Sequence, residues 1–355
     1  MHLNKIYLFG AGGAAGWVLQ GFIREGIRVE GFLDDAAGET TKIGCLPVFT
    51  PNDPFLSKAT RETAIVVLCV MNPIVDETKI RKRLLELGWR SIQTLSDYGK
   101  YELHQTGRAC GMIEGKSFSS HEHELKATRS LLCDAHSIAL FDAFLSFCKT
   151  MDDSQFPPIS PSPYFPPDLP RWPAKLRMID CGGFDGDSLR AAQNHGYTIT
   201  ASISFEPDPA NFGLLAKNVK AIPGAIALPC GVSDKSQMLR FSAKGDTGSS
   251  INNSGETNIQ CVAMDQCIPH FAPNFIKLDI EGAEEDALQG ASHLIKRNRP
   301  GIAVSVYHRS TDIWRIPLFL SKLLGPQAKF FLRRHSRTIA DTVLYVFSGQ
   351  IIENG

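Results

Sequence analysis

The sequence is short of several things, and each shortage excludes something. Its nine cysteines include no CxxC pair, are scattered and are odd in number. That pattern fits neither a zinc site nor a disulfide framework and points to reduced thiols in a cytosolic protein. There is no net charge to offer a polyanion, since Lys plus Arg and Asp plus Glu both number 37. A partner held mainly by charge, such as duplex DNA or an anionic membrane, is therefore not expected. Long apolar runs are missing too. The longest, AIVVLCVM from Ala64 to Met71, falls far short of the ~20 residues that a membrane span requires. The opening residues, MHLNKIYLFG, run straight into what reads as a strand, which leaves no room for a signal peptide and implies a cytoplasmic location. Internal repeats and long low-complexity segments are also absent. What remains is 355 residues of ordinary globular composition, enough for two or three domains.

What is present is an alternation of strand and helix patterns, which implies parallel sheets. In the first hundred residues KIYLF, IRVEGFLDD and AIVVLCV read as strands. Trp17 to Glu25 and Glu77 to Leu87 read as helices. Residues 101–150 are mostly helical in pattern. The segment FPPISPSPYFPPDLPRWP, Phe156 to Pro173, admits neither helix nor central strand, because its prolines remove donors and fix φ. It reads as a stiff connector packed on one of the domains. From Lys175 the alternation resumes through LRMIDCG, TITASISFE, AIALPCG, FIKLDIEG and GIAVSVYH. One helix is expected over Ala283 to Lys296 and another over Thr311 to Leu324, with KFFLRRH and TVLYVFS as closing strands. The expected organisation is a Rossmann-like domain over 1–100, a helical segment and Pro-rich connector over 101–174, and a second α/β domain over 175–355.

Two glycine-rich turns follow strands, LFGAGGAAG (Leu8 to Gly16) and MIDCGGFDGDS (Met178 to Ser188). A dinucleotide places its pyrophosphate against such a turn at a helix N-terminus. In the second turn a carboxylate, Asp180, ends the strand two residues before Gly182 and would repel that pyrophosphate. It suits a cationic ligand instead. S-adenosylmethionine carries an ammonium and a sulfonium and no phosphate. Glu206, at the tip of the next strand in ISFEPD, can accept both hydroxyls of a ribose. The polar loop CGVSD, with Ser233 and Asp234, is placed to flank an adenine, although Ser-Asp is also ordinary turn chemistry.

From Lys175 onward the chain resembles the FkbM-type, S-adenosylmethionine-dependent methyltransferases. The residues that carry the resemblance are IDCGGFDGDS, ISFEPDPANFGLLAKNV, GVSD, the GSS of the GDTGSS loop and above all FIKLDIEGAEEDALQGA. It implies an α/β class I methyltransferase fold, a seven-stranded doubly wound sheet, acting usually on hydroxyl oxygens. It also implies that Asp180, Gly182, Gly183, Gly186, Ser188, Glu206, Pro207, Asp208, Ser233, Asp234 and Asp279 form the cofactor site. One departure is Ser305, where many members carry an acid in the fifth strand. The N-terminal hundred residues resemble the nucleotide-sugar-binding domain of bacterial sugar O-acyltransferases through LFGAGGAAG, VEGFLDDAAG and IGCLPVF. That would make Gly10, Gly12, Gly13, Asp34 and Asp35 a nucleotide site, unless the domain is a scaffold that has lost its ligand.

The chemistry of methyl transfer to a hydroxyl needs close alignment and a proton acceptor. Strand alternation puts Lys277, Asp279 and Glu281 on one side of FIKLDIEG, and His308 follows the next strand. These four are the catalytic candidates, with an ion pair of Lys277 to Asp279 or Glu281 as the plain structural alternative. Glu284 reads as support for a helix N-terminus. A divalent metal joining Asp279 or Glu281 to His308 is compatible with the sequence and not required by it. The HEH at His121 to His123 reads as a solvated face. The expected acceptor is a carbohydrate, glycoconjugate or related small molecule. An NAD(P)-dependent oxidoreductase or a ligand-binding scaffold centred on LFGAGGAAG is the alternative.

Overall fold

The computed structural model describes residues 5–24, 26–38, 42–70, 75–98, 118, 120–150, 153–242, 250–251, 257–337 and 339–348. The chain forms two compact units. One comprises Met1–Ser120, Asp142–Pro157 and Ser336–Thr338, the other His121–Phe141, Pro158–His335 and Ile339–Gly355. No helix among the described residues is long and apolar enough to cross a membrane.

The first unit holds six strands: β1 (Ile6–Phe9), β2 (Gly31–Leu33), β3 (Lys42–Ile43), β4 (Leu46–Phe49), β5 (Ile65–Leu68) and β6 (Ser91–Thr94). They run in the order β3-β4-β2-β1-β5-β6, parallel throughout except for the β3–β4 hairpin. Alternation along β1 sends Ile6 and Leu8 into a core with Val18 and Phe22, and Tyr7 and Phe9 into another with Leu84 and Trp89. Both faces are therefore covered, which is why β1 and β5 read as unbroken apolar runs. The second expected strand, IRVEGFLDD, shrinks to Gly31–Leu33.

The second unit is built on a seven-stranded sheet. Its strands are β7 (Lys175–Cys181), β8 (Thr198–Phe205), β9 (Ala225–Leu228), β14 (Phe275–Leu278), β15 (Gly301–Ser305), β16 (Lys329–Arg334) and β17 (Thr342–Phe347). The order is β9-β8-β7-β14-β15-β17-β16, with the first five parallel and β17 antiparallel to both its neighbours. This is the doubly wound, seven-stranded arrangement expected from the sequence. The strand order switches direction beside β7, and the crevice at the C-terminal ends of β7 and β14 is where such sheets bind ligands. A small four-stranded sheet adds β10 (Gly231–Val232), β11 (Gln237–Ser242), β12 (Ser250–Ile251) and β13 (Thr257–Val262), in the order β10-β13-β11-β12. Most of the GDTGSSINNSGETN loop lies outside the described residues.

Two local departures have steric causes. The single helix expected over Ala283 to Lys296 is two, Glu284–Gln289 and Ser292–Asn298. They part at Gly290, where a Cβ would stand 2.0 Å from the carbonyl oxygen of Ser233, so the loop after β10 wedges against bare backbone there. The Pro-rich connector packs on the sheet: Phe165, Leu169 and Trp172 are buried among Leu176, Phe275 and Tyr345. Trp172 stacks on Phe347 with ring centroids 4.2 Å apart and donates its indole N–H to the Tyr164 carbonyl at 2.8 Å.

The strap sits so close to the sheet that a Cβ on Gly301 would lie 2.5 Å from the Trp172 ring. Gly301→Ala is therefore expected to destabilise the second unit by roughly 1–3 kcal/mol, the usual scale of overpacking. The check is the urea midpoint at unchanged slope.

Candidate active site

At the C-terminal ends of β7, β8 and β14 lies a cavity of about 240 Å³. Its walls come from the bend after β7 (Gly182, Phe184), the tip of β8 (Glu206, Pro207), β10, and the bend after β14 (Asp279, Glu281). Five carboxylates face it: Asp187, Glu206, Asp279, Glu281 and Asp341. The one cation among the described lining residues is Lys277.

Lys277 is already engaged. It stands opposite Asp180 in the parallel register of β14 and β7, with Nζ 3.2 Å from Oδ1. The same ammonium donates to the carbonyl oxygens of Gly182 at 2.6 Å and Cys181 at 3.3 Å. Burial alone would lower its pKa, but Asp180 and Asp279 outweigh that and hold it above the usual lysine range. Asp180 has no exposed surface, and burial pushes its carboxyl up to about 6 against the opposing pull of Lys277. Asp180, expected to meet a cationic ligand, is not among the cavity-lining residues, and its partner in the structure is Lys277. Lys277, expected among the catalytic groups, ties two strand tips and the glycine bend together.

That bend is tight against β14. A Cβ on Gly182, whose φ is +79°, would fall 2.1 Å from the Asp279 carbonyl oxygen. Gly183 abuts Leu215 and Ser204, and Gly186 opens the helix Asp187–Asn194 at φ +87°. Glu206 holds the bend from the β8 side: Oε2 accepts the Phe184 N–H and Oε1 the Asp208 N–H, both at 2.9 Å. Burial raises its pKa, opposed by those two N–H groups. Each oxygen keeps a further lone pair for a hydroxyl from the cavity.

Around Asp279 the groups converge. Tyr164, from the Pro-rich strap, donates its hydroxyl to Oδ2 at 2.7 Å, and His308 Nε2 lies 3.6 Å from Oδ1. His308 Nδ1 is 2.8 Å from Oε1 of Glu284, which also accepts the Ile280 N–H at 2.9 Å. Glu281, at the left-handed φ of +56°, brings Oε1 to 3.7 Å from Nε2. Burial pulls the His308 pKa down, but Glu284, Glu281 and Asp279 overcome it and raise it well above the usual value. Burial pushes the Asp279 carboxyl up, but Lys277, His308 and Tyr164 prevail and hold it below its ordinary range, ionised. The Tyr164 and Tyr307 phenols are raised well above 10 by burial, and both remain donors.

The expected site residues thus divide. Gly182, Glu206, Pro207, Lys277, Asp279 and Glu281 line one cavity. His308 stands directly behind Asp279 and Glu281. Asp208 turns away to cap the helix Pro209–Asn218, accepting the Ala210 and Asn211 N–H groups. Ser188 is buried beside Asp187. Ser233 hydrogen-bonds Asp234, and Gln237 bonds both, so the pair closes its own turn; Gly231 and Val232 face the cavity in their place. Sequence reasoning missed Tyr164, Asp187, Tyr307 and Asp341. The first sits in a segment read only as a connector; Tyr307 follows β15 and Asp341 precedes β17, and those two strand ends pair, Ser305 opposite Val343. In the N-terminal turn, Gly10 is at φ +105°, and Asp34 accepts the Ala11 and Ala36 N–H groups at 2.7 and 2.8 Å. Gly12 precedes Gly13, the first residue of the helix Gly13–Arg24, and Asp35 pairs with Arg83. In the HEH segment, His121 precedes a helix and lies against Trp314, with centroids 5.4 Å apart.

Comparison with known proteins fits this geometry. Residues 180–334 match the family model of the methyltransferase FkbM domain, which bears out the resemblance carried by the C-terminal motifs. The match does not extend over the N-terminal unit. Among solved structures, the methyltransferase FkbM from Methylobacillus flagellatus KT aligns at a TM-score of 0.67 and 21% identity, over 97% of this chain and 90% of that one. It shares the fold. An rRNA methylase from Streptococcus thermophilus and the Aeropyrum pernix fibrillarin with bound S-adenosyl-L-methionine each align at a TM-score of 0.30 and 10% identity. They cover 49% and 50% of this chain, and 86% and 70% of their own. No curated protein matches the sequence.

Lys277→Met would leave Asp180 buried without its cation, a change that costs about 3–5 kcal/mol for a buried pair. Asp180 has a folded-state pKa raised to about 6, so its contribution opposes folding fully above that value, weakens as pH falls below it and is gone only below the ordinary carboxylate value of 3.8. The deficit relative to wild type is expected to be large at pH 7.5 and to shrink at pH 5. Urea midpoints of both proteins at the two pH values check this, and an equal deficit at both would refute it.

Proposed function

We propose that the second unit transfers the methyl group of S-adenosylmethionine to a hydroxyl oxygen of a carbohydrate, glycoconjugate or related metabolite. The observation that carries the reading is the sign of the cavity: five carboxylates face it, and its one lysine is spent on Asp180 and two carbonyls. Such a site favours a cationic donor and a neutral polyhydroxyl acceptor. It opposes pyrophosphate and nucleic-acid ligands.

The residues present fit that donor. Glu206 would take the ribose hydroxyls, the bare backbone of Gly182 the methionine part, and Pro207 with Gly231 and Val232 the base. When bound, S-adenosylmethionine supplies an activated methyl on a cationic sulfur. Asp279, Glu281 and Asp187 supply the negative potential that holds a cation there. Tyr164 fixes the Asp279 carboxylate through its 2.7 Å hydrogen bond, and a fixed carboxylate can orient an acceptor hydroxyl. The hydroxyl proton passes to a carboxylate oxygen of Asp279 or Glu281, both beside His308, a general-base contribution typically worth 10²–10⁴-fold.

The eight described cysteines are free, which supports a reducing, cytoplasmic setting. The N-terminal unit, residues 1–100 in the proposed organisation, keeps a nucleotide-sugar site as a proposal: the Gly10 turn is open-handed, though its acid Asp34 already serves the turn itself.

Calorimetry with S-adenosylhomocysteine is expected to show one site per chain. Glu206→Ala should weaken it at least about tenfold, the scale of a charged hydrogen bond. Asp180→Asn should change stability more than affinity. Tritiated methyl from S-adenosylmethionine should enter a hydroxyl-bearing glycan pool. Absence of binding by the wild-type chain would sink the donor assignment, and label found only on nitrogen or sulfur would sink the acceptor class.

A further inference from the structure

Three buried polar atoms behind the cavity have no hydrogen-bond partner: His308 Nε2, Asp279 Oδ1 and Glu284 Oε2. The His308 side chain is only 7% exposed and that of Glu284 not at all. Buried polar atoms are seldom left unpaired, because each costs its desolvation. The spacing here is also informative. His308 Nε2 lies 3.6 Å from Asp279 Oδ1 and 3.7 Å from Glu281 Oε1, too far for a hydrogen bond. Two donors each about 2.1 Å from a shared ion stand roughly 3.0–3.5 Å apart, close to that spacing. Asp279 and His308 belong, with Glu284, to a group whose ligand atoms lie within 4.8 Å of one another, and Glu281 adds a further oxygen near Nε2.

The surroundings are those of a metal ligand set. His308 Nδ1 meets the Glu284 carboxylate at 2.8 Å, the outer partner that usually fixes a ligating imidazole and frees Nε2. Tyr164 plays the matching part for Asp279 by binding its other oxygen. Backbone bonds hold both carboxylates: the Asp279 N–H donates to Cys181, and Glu284 accepts the Ile280 N–H. We propose that Asp279, Glu281 and His308 bind a divalent cation at the inner wall of the cavity, with Glu284 and Tyr164 orienting the ligands. One imidazole with two carboxylates suits a mixed nitrogen–oxygen ion such as Mn²⁺ or Zn²⁺. Asp279 and Glu281 also line the cavity, so the ion's open positions would face a ligand there. A hydroxyl in that place would be acidified by the ion. The site stands independently of the identity of the methyl donor.

The test uses the purified full chain, cleared of metal by chelation and dialysis. Mn²⁺ is titrated and followed by the electron paramagnetic resonance of the free ion, and Zn²⁺ by calorimetry. One ion should bind per chain. His308→Gln and Glu281→Gln should each weaken binding at least tenfold while circular dichroism and melting show a folded protein. Glu281, a third exposed, is the variant to rely on should His308→Gln fail to fold. A wild-type chain that leaves both ions free at millimolar concentration overturns the proposal, as do variants that bind as tightly as wild type. Binding of S-adenosylhomocysteine to the metal-free chain is read separately, so failure here does not touch the donor assignment.

Discussion

The second unit turns on one ion pair. Asp180 and Lys277 face each other across the two central strands, both almost wholly buried, at the switch point of the sheet. Two charges buried side by side are worth little as net stabilisation, since desolvation offsets their attraction. Their value is positional. The ammonium gathers one carboxylate and two carbonyls, and so holds the end of β7 and the glycine bend against β14. Gly182 can then pass within a Cβ's reach of the Asp279 carbonyl. With the lysine consumed internally, the lining keeps five carboxylates and no free ammonium among the described residues.

Much of this was legible in the sequence. The seven strands, the parallel run and the closing hairpin follow from apolar runs separated by turn residues, and the strand-tip acids mark the crevice. Glu206, Asp279 and Glu281 do face the cavity, but from just beyond the strands: β8 ends at Phe205 and β14 at Leu278, and it is the left-handed bend at Glu281, not alternation, that brings the last acid round. Asp180 shows where such reasoning stops. Position along a strand gives the side of the sheet, not whether a cross-strand partner has already neutralised the charge, and the Lys277 register is set only by pairing two segments nearly a hundred residues apart. The break at Gly290 is of the same kind, since its cause is a carbonyl from a distant loop. Ser233 and Asp234, expected to flank an adenine on the strength of the neighbouring motifs, hydrogen-bond each other and Gln237.

The Asp279–Glu281–Glu284–His308 cluster shows how a fold can concentrate charge without dispersing it. Three carboxylates around one ring would repel strongly were they alone, and the ring's positive charge reconciles them. A proton or an ion at Nε2 serves the same electrostatic need. The bend that carries Glu281 in a left-handed conformation is what lets a third acid reach the ring at all. The cluster is thus a product of the KLDIEGAE turn as a whole rather than of any single residue in it.

Tyr164 and Trp172 carry an implication for where this catalytic module begins. Both precede β7, yet one anchors the central aspartate and the other stacks on the last strand. A shuffling event, or a truncated gene fragment, that joined the chain at the start of β7 would inherit a complete sheet with part of its pocket floor left behind. The heritable unit is therefore longer at its leading edge than the strand pattern alone would draw it, by the length of one proline-studded strap.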